Sequence, residues 1–256
     1  AGFIAFIWYT FMDKKLEKSE GITDEISEAE AFKVKDIFTI MANKGFWLIA
    51  ILCVLFYSGL FPFLYYASDL MVNKYGVDPE FAGTIPSLLP FGTIILTPFF
   101  GNIYDRKGRG ATIMLIGSLM LLGVHLLFSV PAMNHYFIAI ALIILLGITF
   151  SLVPSAMWPS VPKIIPEKQL GTAYSLIFWV QNWGLMGVPA LIGWVLNTYC
   201  ITGQIIVKNT VVNTYNYTIP MLIFTGFGLL ALIFAFLLKA EDRKKGYGLE
   251  LPNIKK

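Results

Sequence analysis

The sequence predicts an all-α integral membrane protein built around a bundle of six helices, and three observations lead there. Hydrophobic residues fill 57% of the 256 positions and the mean hydropathy is +0.70, against roughly 45–50% apolar residues in soluble proteins. Asp, Glu, Lys and Arg are absent from 45–68, 81–104, 110–162, 169–207 and 209–238, and about 20 mostly apolar residues suffice for a helix to cross the hydrocarbon core. The remaining charges are gathered into the short segments between those stretches.

Taken in order, Ala1–Met12 is apolar but too short to span. It lacks the basic n-region and small-residue cleavage site of a signal peptide, so it reads as the end of a preceding transmembrane helix. Residues 13–45 carry eight acidic and six basic residues and read as a cytoplasmic linker. Within it, Ile26, Ala29, Phe32, Val34 and Ile37 give Glu25–Ile37 the imperfect periodicity of an interfacial or solvated helix. The bundle occupies 46–240, with spans near 46–70, 82–103, 111–130, 136–160, 171–196 and 218–239. The longest charge-free stretch holds two of these and divides at Pro131-Ala132-Met133-Asn134. Pro62 removes a backbone hydrogen bond in the first span, so a kink is expected there. Residues 241–256 form a polar cytoplasmic tail, expected to be mobile.

Topology follows from the cations, because Lys and Arg accumulate on the cytoplasmic side. Segments 13–45, 104–110, 161–170 and 239–256 hold 17 of the 19, leaving Lys74 and Lys208 outside. The net charge of +3 is therefore a topological signal. No aromatic–basic groove accompanies it, so the bilayer is a partner and nucleic acid is not. Cys53 falls in a span and Cys200 in an outer loop, which excludes a bridge between them. Asn216-Tyr217-Thr218 matches an N-glycosylation acceptor but abuts a span. Metal-ligand spacing, a nucleophile–base pair and a phosphate-binding glycine loop are all missing. An enzyme is disfavoured, and no catalytic residue, metal ligand or cofactor is assigned.

One turn concentrates charge. Gly101-Asn102-Ile103-Tyr104-Asp105-Arg106-Lys107-Gly108-Arg109-Gly110 joins two spans on the cytoplasmic side. Gly101 and Gly108 are expected where a side chain would block close helix approach or a left-handed backbone. Asp105 is expected against a helix N-terminus, where the partial positive charge favours a carboxylate, with the helix starting near Gly171 as the neighbour. Arg106 and Arg109 would then reach Glu167, and breaking these contacts would open the inner side. The bland alternative is a solvated loop whose charges contribute little.

The pattern G-x-x-x-D-R-x-G-R resembles the cytoplasmic loop signature of the major facilitator superfamily of transporters. A second block runs Trp158-Pro159-Ser160-Val161-Pro162-Lys163-Ile164-Ile165-Pro166-Glu167-Lys168-Gln169-Leu170-Gly171-Thr172-Ala173-Tyr174 and continues to Gln181-Asn182. With Phe61-Pro62-Phe63 and His125, it resembles the branch of that superfamily that contains the lysosomal dipeptide transporters. The likeness runs from about Val34 to the last span and departs in the outer loop 197–217, which is longer here, and in the tail. It implies that this chain is the C-terminal six-helix half of a transporter made of two such bundles, the N-terminal bundle being the missing partner. It further implies facilitated movement of dipeptides or related amino-acid compounds by alternating access, without a cofactor. An accessory membrane subunit is a further candidate partner. Both a bacterial cytoplasmic membrane and a lysosomal or other endomembrane fit the sequence.

Six residues are candidates for the solute site. Tyr57 and Tyr65 flank Pro62 and offer hydroxyls and ring faces at mid-span depth; an aromatic belt at the membrane interface is the competing reading. Asp69 lies on the same helix face as Phe61 and Tyr65 and is the one acidic side chain at a span boundary, a default functional candidate. Gln181 and Asn182 are adjacent amides near a span centre, able to pair with peptide N–H and C=O groups or with a neighbouring helix. Trp158 completes the set from the preceding span. Gly147, Ser151 and Ser155, and likewise Gly184, Gly187, Ala190 and Gly193, read first as packing stripes. His125 reads as a neutral histidine bonded to a neighbouring helix rather than as a proton carrier. An organic-anion or sugar-phosphate exchanger would need cations in the cavity, and these spans have none. A non-transporting membrane receptor or scaffold remains the alternative from another class.

Overall fold

The computed structural model describes residues 2–20, 33–207 and 210–254. The chain enters through helix α1 (Gly2–Glu20) and, after a segment that includes most of the expected helix at Glu25–Ile37 and lies outside the described residues, a short α2 (Val34–Met41). Six long helices follow: α3 (Lys44–Tyr75), α4 (Thr84–Lys107), α5 (Gly110–Ser129), α6 (Tyr136–Ile164), α7 (Leu170–Tyr199) and α8 (Thr218–Lys245). All six are long and apolar enough to cross a membrane, α7 with the 3-10 turn Glu167–Gln169 before it. Each matches an expected span and most overrun it, because polar end residues such as Asn73, Lys74 and Arg243 find partners or solvent without ending the helix.

Local chemistry accounts for the ends. Asn43 caps α3, its Oδ1 accepting from the N–H groups of Gly45 at 2.8 Å and Phe46 at 3.4 Å, the arrangement that satisfies a helix's first donors. The Lys74 ammonium donates to the carbonyls of Phe128 and Val130 at the end of α5, where unpaired carbonyls attract a cation. Asn216, the candidate glycosylation acceptor, takes the Thr218 N–H on Oδ1 at 2.9 Å at the start of α8.

The core is centred on α3, with 72% of its span buried; α4 and α7, at 17% and 22%, lie on the flanks. The helix α3 packs on α7, α8 and α6, α5 lies along α8 and α6, and α4 along α6. Among the described residues, Tyr104, Phe46, Phe56, Phe63, Phe128 and Phe224 are the largest rings fully enclosed, and His125 adds a smaller one. His125 sits among them with its Nε2 2.8 Å from the Gly59 carbonyl and its ring 5.1 Å from Phe63 and 5.3 Å from Phe224. The interhelical bond expected of it is present, and its Nδ1 is unpaired.

Segments at the two ends sort as the cation count requires. Asn43 bonds the Ile164 carbonyl, Lys44 pairs with Glu241, Asp36 accepts from Gln169, and the tail touches 105–112, so all of these lie at one end of the bundle. At the other end, the loop expected at 197–217 contains an antiparallel hairpin, β1 (Ile201–Val207) and β2 (Thr210–Tyr215). Cys53 and Cys200 are free thiols.

Candidate functional site

Three helices bring an aromatic cluster together. From α3 come Tyr57 and Phe61, one turn apart and stacked with centroids 5.5 Å apart. From α6 come Phe150 and Trp158: Phe150 meets Phe61 edge-on at 5.4 Å, and the Trp158 indole N–H donates to the Tyr57 hydroxyl at 3.1 Å. From α7, Phe178 stacks on Trp158 at 4.9 Å and the Tyr174 hydroxyl donates to the Trp158 carbonyl at 3.1 Å. That carbonyl loses its usual partner because residue 162, four positions on, is a proline without an N–H. The junction is thus held by two side-chain hydrogen bonds and offset or edge-on ring contacts, the favoured aromatic geometries.

Of the six candidates, Tyr57 and Trp158 are brought into direct contact. Gln181 is buried beside α3, its Oε1 accepting from the Cys53 thiol at 3.3 Å. Asn182 is exposed, its Nδ2 donating to the Phe178 carbonyl at 2.8 Å. Tyr65 is 73% exposed. Asp69 stands apart, about 18 Å along α3 from Tyr57 at 1.5 Å per residue. Its carboxylate accepts a 2.5 Å hydrogen bond from the Tyr217 hydroxyl. Burial first, and then the bond to Asp69, push the Tyr217 phenol well above its usual range, so it stays a donor throughout the neutral range. Tyr174 and Phe178 were missed by sequence reasoning, although they fall at i and i+4 with Gln181 at i+7 on one helix face.

At the inner turn, Asp105 is engaged by the tail: its Oδ1 accepts from Asn253 Nδ2 at 2.8 Å, and its carbonyl accepts from the N–H groups of Asn253 and Ile254. The tail therefore folds back onto the bundle instead of remaining mobile, with Leu249 fully buried. Arg106, Arg109 and Glu167 are exposed, and the ion pairs among the described residues are Lys44–Glu241 and Lys239–Glu250. Gly101 lies within α4 with open space where a Cβ would be, so no close approach within this chain requires it. Gly108 fulfils its expectation: its φ is +69°, and a Cβ would stand 2.5 Å from the Glu250 carbonyl oxygen.

A family model, Major Facilitator Superfamily, matches residues 1–189 and 46–251 in overlapping alignments. The chain belongs to that superfamily. It is accordingly a multi-pass membrane protein from a family of transporters rather than enzymes. Among curated proteins it is 31% identical to the lysosomal dipeptide transporter MFSD1 of Bos taurus over 73% of this chain and 37% of that one. The Homo sapiens protein of the same name is also 31% identical, with 38% of its length covered. Protein ZINC INDUCED FACILITATOR 1 of Arabidopsis thaliana is 27% identical over 73% of this chain and 38% of its own. The chain thus spans less than half the length of these relatives. Among solved structures, a peptide transporter POT variant in complex with sulfate superposes with a TM-score of 0.57 at 16% identity. That match covers 82% of this chain and 40% of the other, and it supports the fold.

Proposed function

We propose that the full-length protein carries dipeptides or related amino-acid compounds across its membrane by alternating access, with this chain as its second six-helix bundle. The observation that carries the reading is the uncharged aromatic junction of Tyr57, Phe61, Phe150, Trp158 and Phe178, in a chain whose curated relatives include dipeptide transporters. A dipeptide is a zwitterion with a central amide and two side chains. Ring faces offer it apolar contact and cation–π attraction for its ammonium, strongest at Trp. The Tyr57 hydroxyl and the Asn182 amide supply hydrogen bonds to its peptide group.

These spans bring no Lys or Arg to the junction, so the solute's carboxylate is assigned to the other bundle. Reciprocal rocking of the two bundles about a midplane site, an arrangement for which this superfamily is a standing example, would expose that site to each side in turn. The exposed Tyr65, one turn beyond Phe61 on α3, is assigned to the same wall. The inner turn, with Gly101, Asp105, Arg106, Gly108 and Arg109, and the facing Glu167 are assigned to closure of the cytoplasmic mouth.

Thermal unfolding of the purified full-length protein tests recognition, because a ligand that binds only the folded state raises the midpoint by mass action. Dipeptides are expected to raise it in a saturable way, while sugar phosphates do not. A rise with sugar phosphates and none with dipeptides would reverse the assignment.

A further inference from the structure

The helix after the inner turn begins without a cap of its own. Arg109, the residue before α5, has φ 64° and ψ 35° and makes no side-chain capping bond. Gly108 before it also has positive φ. Two successive residues with positive φ are conformationally demanding, and Arg109, in the left-handed region without being glycine, is strained; the first N–H groups of a helix also have no partner within it. In this chain the partners come from residues about 140 positions away.

The Arg109 N–H donates to the Glu250 carbonyl at 2.9 Å and the Gly110 N–H to the Leu249 carbonyl at 2.8 Å. The Thr112 N–H and hydroxyl both donate to the Glu250 carboxylate at 2.9 Å. A carboxylate accepting from the third N–H of the helix does what an N-cap side chain does and also meets the positive end of the helix dipole. Lys239 of α8 stands 3.7 Å from the same carboxylate. Beyond it, the Lys163 ammonium of α6 donates to the Leu251 carbonyl at 2.7 Å, and Asn253 holds Asp105 of α4. On the near side, the Leu249 N–H donates to the Asp242 carboxylate at 3.1 Å.

We propose that residues 246–254 are a strap that caps α5 from outside, ties α4, α5, α6 and α8 together at the cytoplasmic end, and fixes the direction in which Arg106, Lys107 and Arg109 are presented. Glu250 is its positioning residue and Asn253 its second anchor. Every contact lies within this bundle, so the inference is independent of what the protein carries.

The test is hydrogen exchange on the full-length protein, read on peptides covering 104–113 and on the interior of α3. Lys107→Cys carrying a spin label gives a second readout of turn mobility. In Glu250→Ala, and in a chain ended after Gly248, exchange at 104–113 is expected to rise about 10-fold, the scale of one lost helix cap. The spin label is expected to become more mobile, with α3 unchanged. Glu250→Gln keeps an acceptor oxygen for the Thr112 N–H and is expected to restore most of the protection. Unchanged exchange at 104–113 in both the truncated chain and Glu250→Ala would overturn the strap. So would an equal rise in α3 and at the turn, which would mark Glu250 as a general contributor to stability.

Discussion

At the scale of single residues, the Tyr57–Trp158 bond joins two side chains 101 positions apart at the centre of the aromatic junction. Trp158→Phe keeps the ring stack on Phe178 and removes the N–H that donates to Tyr57. Loss of one such bond is worth roughly 1 kcal/mol, so dipeptide affinity is expected to fall about five-fold by titration calorimetry while expression is retained. Unaltered affinity would remove Trp158 from the site. Asp69 makes the opposite case. Sequence depth alone marked it as a ligand candidate, but its carboxylate is occupied by the Tyr217 hydroxyl. A double-mutant cycle of Asp69→Asn and Tyr217→Phe, followed by thermal unfolding, is expected to show coupling of about 1.5–3 kcal/mol, the range for hydrogen bonds to charged groups, with little change in affinity. Additive stabilities together with lost binding would return Asp69 to the solute. Which of two polar residues on one helix meets a ligand and which meets a neighbour depends on the facing helix, and a single sequence does not carry that.

At the scale of elements, all six spans were legible, because hydrophobic length reports directly on the thickness of the bilayer. Two elements were not. The hairpin is harder to read from sequence, although Ile205, Ile206, Val211 and Val212 supply the β-branched residues that favour strands on either side of Lys208-Asn209. The strap is hidden within the tail 241–256, whose overall polarity resembles that of a mobile tail; what orders it is the unsatisfied start of a helix far away in sequence. Helix packing supplies a sharper test. A Cβ at Gly228 of α8 would lie 2.7 Å from the Leu122 Cα of α5, and backbone cannot yield as a flexible side chain does. Gly228→Ala is therefore expected to cost about 1–3 kcal/mol, as overpacking does, read as a lowered thermal midpoint. Wild-type stability would mean that α5 and α8 sit less closely than described.

At the scale of the whole molecule, the burial pattern is lopsided. α3 is enclosed, while α4 and α7 expose Phe91, Ile94, Ile95 and Phe99 on one and Trp179, Trp183, Met186 and Trp194 on the other. Lipid can cover such faces, and so can a second bundle; the latter suits a family whose members matched here are more than twice the length aligned. The resemblance in the inner turn and in the Trp158–Asn182 block makes the family legible, whereas the site residues would depend on how the proposed second bundle meets this one. Binding alone would leave a receptor as good an account as a transporter. The most direct measurement is counterflow: sealed vesicles containing the full-length protein, preloaded with unlabelled dipeptide and diluted into a trace of the labelled compound. The account predicts transient accumulation of label that is slowed by Trp158→Phe and absent from protein-free vesicles. Saturable binding with no accumulation above protein-free vesicles would contradict it.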